Sequence, residues 1–125
     1  MTQQVIGIGS AANDGTGDTA RVAFDKVNDN FGELFPTIAA VTADTVLTAV
    51  TSLTLVNATS GAKSITLPTA ATGKEATIKK TDSSAYTVTV LPNGSETIDG
   101  DASVVISYQY TAVKLLSDGS NWHMA

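Results

Sequence analysis

Basic residues and cysteine are scarce in this sequence. Its 125 residues include no cysteine, 1 histidine and 7 lysines and arginines against 12 acidic residues, for a formal net charge of −5. The absence of cysteine excludes disulfides, thiolate metal sites and cysteine nucleophiles. The only basic doublet is Lys79-Lys80, which has Asp82 beside it. Because a nucleic-acid binder needs a basic face to neutralise phosphates, we expect no nucleic-acid partner.

Long hydrophobic runs are also missing. No stretch approaches the roughly 20 apolar residues of a membrane-spanning helix, so we expect no membrane partner. The first four residues, Met-Thr-Gln-Gln, have neither the basic region nor the apolar region of a signal peptide. The sequence therefore predicts synthesis and folding in the cytoplasm.

Groups that carry catalysis or bind metals are few. The single histidine, His123, falls on a predicted terminal strand, where a Ser–His–Asp triad would lack a pocket. Asp99 and Asp101 fall in a predicted turn, and carboxylates there usually bind the local backbone. Residues 14–18 combine acids and glycines but do not fit the spacing of a calcium-binding EF-hand loop. We therefore expect no enzyme activity, no cofactor and no metal site.

The most informative stretch is a glycine turn followed by an amphipathic helix. Gly15 and Gly17 stand among Asn and Asp, which favours a turn that needs positive φ. Asp18 is positioned to cap the helix, and Pro36 to end it, so we predict a helix over residues 19–35. Apolar residues recur at helical spacing and form one stripe, composed of Ala20, Phe24, Val27, Phe31 and Leu34.

Residues 1–18 are predicted to be an arm and a glycine turn. The arm carries Val5, Ile6 and Ile8, interleaved with glycine, and either pairs as an edge strand, lies extended on a partner, or is a disordered terminus. Glycine weakens a strand that stands alone, which favours the partner. The helix stripe also needs a cover, from this chain's own core or from another subunit. We therefore predict that the arm's apolar residues and the helix stripe bind partners.

After the helix, the spacing of apolar residues changes from helical to alternating. Residues 36–45 are predicted to be a linker, and residues 46–125 an antiparallel β domain of short strands. Residues 86–90, Tyr-Thr-Val-Thr-Val, alternate as in a half-buried strand, and Asp118-Gly119 is typical of a hairpin turn. No internal repeat of solenoid length is visible. The predicted fold is mainly β: an arm and one amphipathic helix, followed by a small antiparallel β-sandwich like a jelly roll.

Four aromatic residues of the predicted β domain allow two interpretations. They are Tyr86, Tyr108, Tyr110 and Trp122. Aromatic faces stack on sugars, so one interpretation is a glycan-binding site. The other is core and interface packing, and Trp122, which follows a tight turn, is expected to anchor the core.

The glycine turn and the helix carry a family resemblance. The motifs are Asn-Asp-Gly-Thr-Gly-Asp at residues 13–18, Ala-Phe-Asp-Lys-Val-Asn-Asp-Asn-Phe at residues 23–31, and Glu-Leu-Phe at residues 33–35. Together, residues 8–35 resemble a segment near the N-terminus of many virion proteins of tailed bacteriophages, including tail fibres, tail spikes and baseplate components. In such proteins the segment is an attachment or assembly element, and the proteins are commonly trimers.

A second resemblance covers residues 60–124. It rests on Ile-Lys-Lys-Thr-Asp at residues 78–82, Gly-Ser-Glu-Thr-Ile-Asp-Gly at residues 94–100, and Leu-Ser-Asp-Gly-Ser-Asn-Trp at residues 116–122. These motifs are similar to a small β module of phage structural proteins.

The two resemblances imply a non-enzymatic structural protein of a phage virion, assembled in the host cytoplasm. Tail fibres with this segment usually continue much further, so we expect first a trimeric capsid decoration, or cement, protein. It would dock on the major capsid protein through its arm and helix. The alternatives are a tail fibre or baseplate adaptor, which would bind tail proteins, and a glycan-binding β module.

Overall fold

The computed structural model describes residues 4–11, 14–34, 37–48, 52–71 and 75–125. These residues belong to two compact units, which we name the N-terminal unit (Thr2–Phe35) and the β unit (Pro36–Ala125). None of the helices in these ranges has the length and apolar character needed to span a membrane.

The N-terminal unit contains the helix α1, Ala20–Leu34. The hydroxyl of Thr19 accepts a hydrogen bond from the Val22 N–H at 3.4 Å, and its carbonyl accepts the first helical bond, from Ala23, at 2.9 Å. Thr19 is therefore the N-cap. The prediction that Asp18 caps the helix is wrong, because its carboxylate is bound by other groups of the chain. Residues 35–36, where the helix was predicted to end, lie outside the described residues.

The arm runs back along its own helix in the opposite direction. The Gln4 N–H donates to Asn30 Oδ1 at 2.8 Å, and Asn30 Nδ2 donates to the Gln4 carbonyl at 2.9 Å. Lys26 Nζ donates to the Val5 carbonyl at 3.0 Å. Side chains of the helix thus take the place of the strand or partner that was expected to pair with the arm backbone.

Two glycines of this unit have different roles. Gly15 has a φ of 71°, which confirms the predicted turn with positive φ. Gly17 is required for space instead, since a Cβ there would lie 3.0 Å from the carbonyl oxygen of Gly7. The arm and the residues before the helix therefore approach each other backbone to backbone.

The described residues of the β unit form nine strands in two sheets. They are β1 (Ile38–Val41), β2 (Thr45–Val46), β3 (Leu53–Val56), β4 (Lys63–Thr66), β5 (Glu75–Lys80), β6 (Val88–Leu91), β7 (Val104–Ile106), β8 (Ala112–Ser117) and β9 (Trp122–Met124). One sheet has the order β1-β3-β5-β8-β9 and the other β2-β4-β6-β7. The segment predicted to be a linker, residues 36–45, instead holds β1 and the first residue of β2.

The chain winds through the two sheets as three stacked coils. Strands β1, β3 and β5 pair in parallel in one sheet, and β2, β4 and β6 pair in parallel in the other. Each coil therefore contributes one strand to each sheet, in the manner of a parallel β-helix. Strands β7, β8 and β9 then add antiparallel pairs.

The mainly β class is confirmed, but the sheets are mixed and the predicted antiparallel jelly-roll topology is wrong. Side chains alternate with the same period in parallel and antiparallel strands, so alternation does not reveal strand direction. The coils also lack a sequence repeat, because they differ in length. Ile38 pairs with Leu53, and Leu53 pairs with Thr77, at unequal intervals.

The core of the β unit is formed by side chains of both sheets. The buried residues include Val56, Ile65, Ile78, Val88, Val90, Ile106 and Leu115. Trp122, on β9, is fully buried in the same cluster, which confirms the prediction that it anchors the core. Its burial also removes Trp122 from any surface that stacks on sugars.

Candidate functional site

The predicted partner-binding residues of the helix lie beside the arm but are largely uncovered by it. Phe24 is 69% exposed and Phe31 is 57% exposed, while Ala20 is exposed and Val27 is half-buried. The side chain of Leu34 lies outside the described residues. The two phenylalanines therefore present their rings to solvent on one face of α1.

The arm adds further exposed apolar side chains to the same unit. Val5 is 80% exposed and Ile8 is 90% exposed, whereas Ile6 between them is half-buried. The N-terminal unit is thus held together by polar groups and leaves most of its large apolar side chains in water. Water contact of this kind is unfavourable, since burying a full aliphatic or aromatic side chain is worth about 1.5–3 kcal/mol.

Asp18 also joins the arm to the helix through polar contacts. Its Oδ2 accepts hydrogen bonds from Lys26 Nζ at 2.7 Å and from the Gly7 N–H at 2.8 Å. The Gly7 carbonyl in turn accepts from the Asp18 N–H at 2.8 Å. The hydrogen bond from Lys26, followed by that from Gly7, lowers the pKa of the Asp18 carboxyl. The sequence prediction missed Lys26, which lies off the apolar stripe.

Asp14 closes the turn that precedes the helix. Its carboxylate accepts hydrogen bonds from the backbone N–H groups of Ser10, Ala11 and Thr16, and from the Thr16 hydroxyl. These bonds, those of Thr16 first, lower the pKa of Asp14 to about 2. The carboxylates of Asp14 and Asp18 thus both accept hydrogen bonds from other groups of the N-terminal unit.

A buried ion pair lies in the β unit, at the end of β5. Lys80 is fully buried, and its Nζ donates to Asp82 Oδ2 at 2.7 Å, to the Asp82 carbonyl at 2.8 Å and to the Ser84 carbonyl at 3.2 Å. Asp82 Oδ1 accepts from the Ala58 N–H at 2.7 Å. Burial raises the pKa of the Asp82 carboxyl, but the hydrogen bonds from Lys80, Ser84 and Ala58 outweigh it and hold the pKa well below its usual range.

The hydrogen bonds of the Lys80–Asp82 ion pair are all satisfied within the chain, which indicates a structural role. Every hydrogen of the Lys80 ammonium has an acceptor, so the amine is not available as a base or nucleophile. The sequence offered a weak signal for it, since Asp82 follows the doublet Lys79-Lys80 closely. It did not reveal that Lys80 points inward.

His123 is exposed and lies between two carboxylates. Its Nε2 is 2.7 Å from Asp118 Oδ2, and its Nδ1 is 3.3 Å from Asp99 Oδ1. The hydrogen bond with Asp118 is the main cause that raises the pKa of His123. The imidazole thus fastens the β8–β9 turn to the turn at Asp99. Across the described ranges, no group of three or more histidine, aspartate or glutamate residues could hold a metal ion.

No protein-family model matches this chain, and no curated protein sequence matches it.

Proposed function

We propose that this protein is a non-enzymatic structural component of a tailed-phage virion, a trimer that docks through its N-terminal unit. The observation that carries the proposal is the exposure of Phe24 and Phe31 on a helix whose neighbouring side is already occupied by the arm. An arm bound by polar groups leaves the aromatic face free for another subunit. This is the face that the sequence stripe singled out.

The size of the helix also supports association. An isolated helix of 15 residues is marginal in water, and its stability in proteins comes mainly from packing of its apolar face. If the Phe24 and Phe31 rings of three chains pack together, each chain removes two large side chains from water. A trimer would supply this packing without any contribution from the β unit.

The family resemblance maps onto the two units separately. The attachment-like segment, residues 8–35, falls within the N-terminal unit, and the second resemblance, residues 60–124, falls within the β unit. The β unit has its own buried core, so it does not need the N-terminal unit to bury apolar surface. A division into a docking unit and a self-contained module fits a decoration protein on a capsid, which is our first placement.

Two measurements test this proposal. Light scattering coupled to size exclusion should give the mass of three chains at micromolar concentration, and a stable monomer would contradict the trimer. Co-sedimentation with empty heads and with purified tails of the phage that carries this sequence tests the placement. Binding to heads supports a capsid decoration protein, while binding to tails alone would replace it with a tail or baseplate adaptor.

A deletion separates docking from folding. Removing residues 1–12 eliminates the exposed Val5 and Ile8 but leaves the helix stripe. We expect the shortened chain to remain a trimer and to lose binding to heads. Undiminished binding to heads would mean that the arm is not part of the docking surface.

A further inference from the structure

Three connections between the sheets meet at one edge of the β unit. Residues 57–62 join β3 to β4, residues 81–87 join β5 to β6, and residues 107–111 join β7 to β8. Strands β3 and β5 are parallel, and β8 is antiparallel to β5, so all three connections lie at the same end of that sheet. We name these residues the tyrosine edge, because they contain all three tyrosines of the chain.

Lys80 and Asp82 form hydrogen bonds that link the three connections. Asp82 binds the Ala58 N–H of the first connection, and the Lys80 carbonyl accepts from the Tyr110 N–H of the third at 2.7 Å. Asp82, within the tyrosine edge, and Lys80, which precedes it, thus support these connections through a buried ion pair. A binding surface on such a support loses little conformational entropy when a ligand arrives.

The three tyrosine rings are exposed on this support. Tyr108 is 79% exposed, and Tyr86 and Tyr110 are also exposed. Val88 of β6 pairs with Ile106 of β7 in an antiparallel register. Tyr86 precedes Val88 by the same interval by which Tyr108 follows Ile106, so both tyrosines lie at the same end of this strand pair.

Tyr110 has a backbone conformation that tyrosine rarely adopts. Its φ is 62°, and its ring lies 5.5 Å from the ammonium of Lys79. Left-handed backbone at a residue with a large side chain costs energy and tends to occur at functional sites.

The other side chains of the tyrosine edge are neutral and polar. Apart from alanine, glycine and Asp82, each residue of the three connections is a tyrosine or carries a hydroxyl or amide group. The charge of Asp82 is offset by Lys80 inside the unit. The three connections therefore expose aromatic faces among neutral hydrogen-bonding groups, and the ammonium of Lys79 on β5 lies over one of those faces, at Tyr110.

We propose that the tyrosine edge binds a neutral polysaccharide. The C–H faces of sugar rings stack on phenol rings, which combine an apolar face with a polar hydroxyl. The surrounding hydroxyl and amide groups match the hydroxyls of the sugar. A nucleic acid or a polyanionic glycan would require several cations to neutralise it. None of the three connections contains a lysine or arginine, and Lys79 on β5 adds a single ammonium beside Tyr110. This binding is independent of the proposed trimer, because it uses only the β unit.

The test uses the full chain and a panel of immobilised dextran, mannan, galactan and neutral bacterial O-polysaccharides, with heparin as the polyanionic reference. The full chain should bind at least one neutral polymer and should not bind heparin. The double variant Tyr86→Ala/Tyr108→Ala should lower that affinity roughly tenfold or more, since two stacking surfaces are removed. Tyr86→Phe/Tyr108→Phe should retain most of the affinity, because the rings remain. Met124→Ala, an exposed apolar residue of β9, is the matched control and should change nothing.

Several outcomes would overturn the proposal. It fails if no neutral polymer binds, if heparin binds best, or if the alanine variant binds as well as the parent chain. If the alanine variant instead loses its oligomeric mass in light scattering, the tyrosine edge is a self-association surface. Circular dichroism melting checks folding, and Tyr108→Ala alone decides the matter if the double variant does not fold.

Discussion

In the N-terminal unit Phe24 and Phe31 are exposed, whereas in the β unit Trp122 and the side chains around it are wholly buried. Polar groups hold the first unit together, through contacts such as Lys26 with Asp18. Apolar packing between two sheets holds the second together. The N-terminal unit thus leaves its phenylalanine rings available for a partner, while the β unit has buried its tryptophan in folding and exposes tyrosines instead.

The largest effect is expected from a substitution at the centre of the β core. Trp122→Ala should lower the free energy of unfolding of the β unit by about 3–5 kcal/mol, because a fully buried aromatic side chain leaves a cavity. Urea unfolding followed by circular dichroism measures the loss.

Trp122→Phe tests whether the packing of the aromatic ring is what Trp122 contributes. The indole N–H has no hydrogen-bond partner among the described residues, so phenylalanine loses volume but no hydrogen bond. It should cost clearly less than alanine. Equal costs for the two substitutions would mean that ring packing is not what Trp122 contributes.

The buried ion pair gives the next largest effect. Lys80→Met should destabilise the β unit by about 3 kcal/mol, the low end for breaking a buried pair, because Asp82 keeps its donors from Ala58 and Ser84. Lys79→Met on the same strand is the matched control and should cost much less, since Lys79 is only half-buried. Urea unfolding followed by Trp122 fluorescence compares the two. Similar midpoints would contradict a structural role for Lys80.

The sequence predicted what depends on local pattern. Spacing placed the apolar stripe of α1, and a lone tryptophan after a tight turn was correctly expected in the core. Strand direction could not be predicted, because alternation is the same in parallel and antiparallel sheets. The three coils were invisible because each coil has a different length.

The polar contacts were harder to predict than the apolar ones. The sequence prediction did not identify Lys80 as buried, and lysine is almost never fully buried unless it is paired. Asp18 was assigned to the helix cap, although its carboxylate binds Gly7 and Lys26. Both residues act through contacts that the chain makes only after it has folded back on itself.

Substitution of the two exposed phenylalanines tests whether the N-terminal unit binds a partner through its apolar helix face. Phe24→Ser/Phe31→Ser should convert the proposed trimer to a monomer, because each ring loses about 1.5–3 kcal/mol of burial at the interface. The urea midpoint of the β unit should not change, since the core contains neither residue. Val22→Ser, at an exposed apolar residue off the stripe, is the matched control and should remain trimeric. A double variant that keeps the trimer mass would exclude the aromatic face as the interface.

The smallest effect is expected at the contact between arm and helix. Asp18→Asn keeps an oxygen for the Gly7 N–H but loses the charge that attracts Lys26, so the Gly7 amide should exchange with solvent modestly faster. The pKa of folded Asp18 lies below the ordinary value of 3.8. Its contribution is therefore complete above that pH and is lost as the pH falls through the lowered pKa, which should also expose Gly7. Asp25→Asn, an equal charge change on α1, should leave the Gly7 exchange rate unaltered. If both variants exchange at the same rate, Asp18 does not hold the arm.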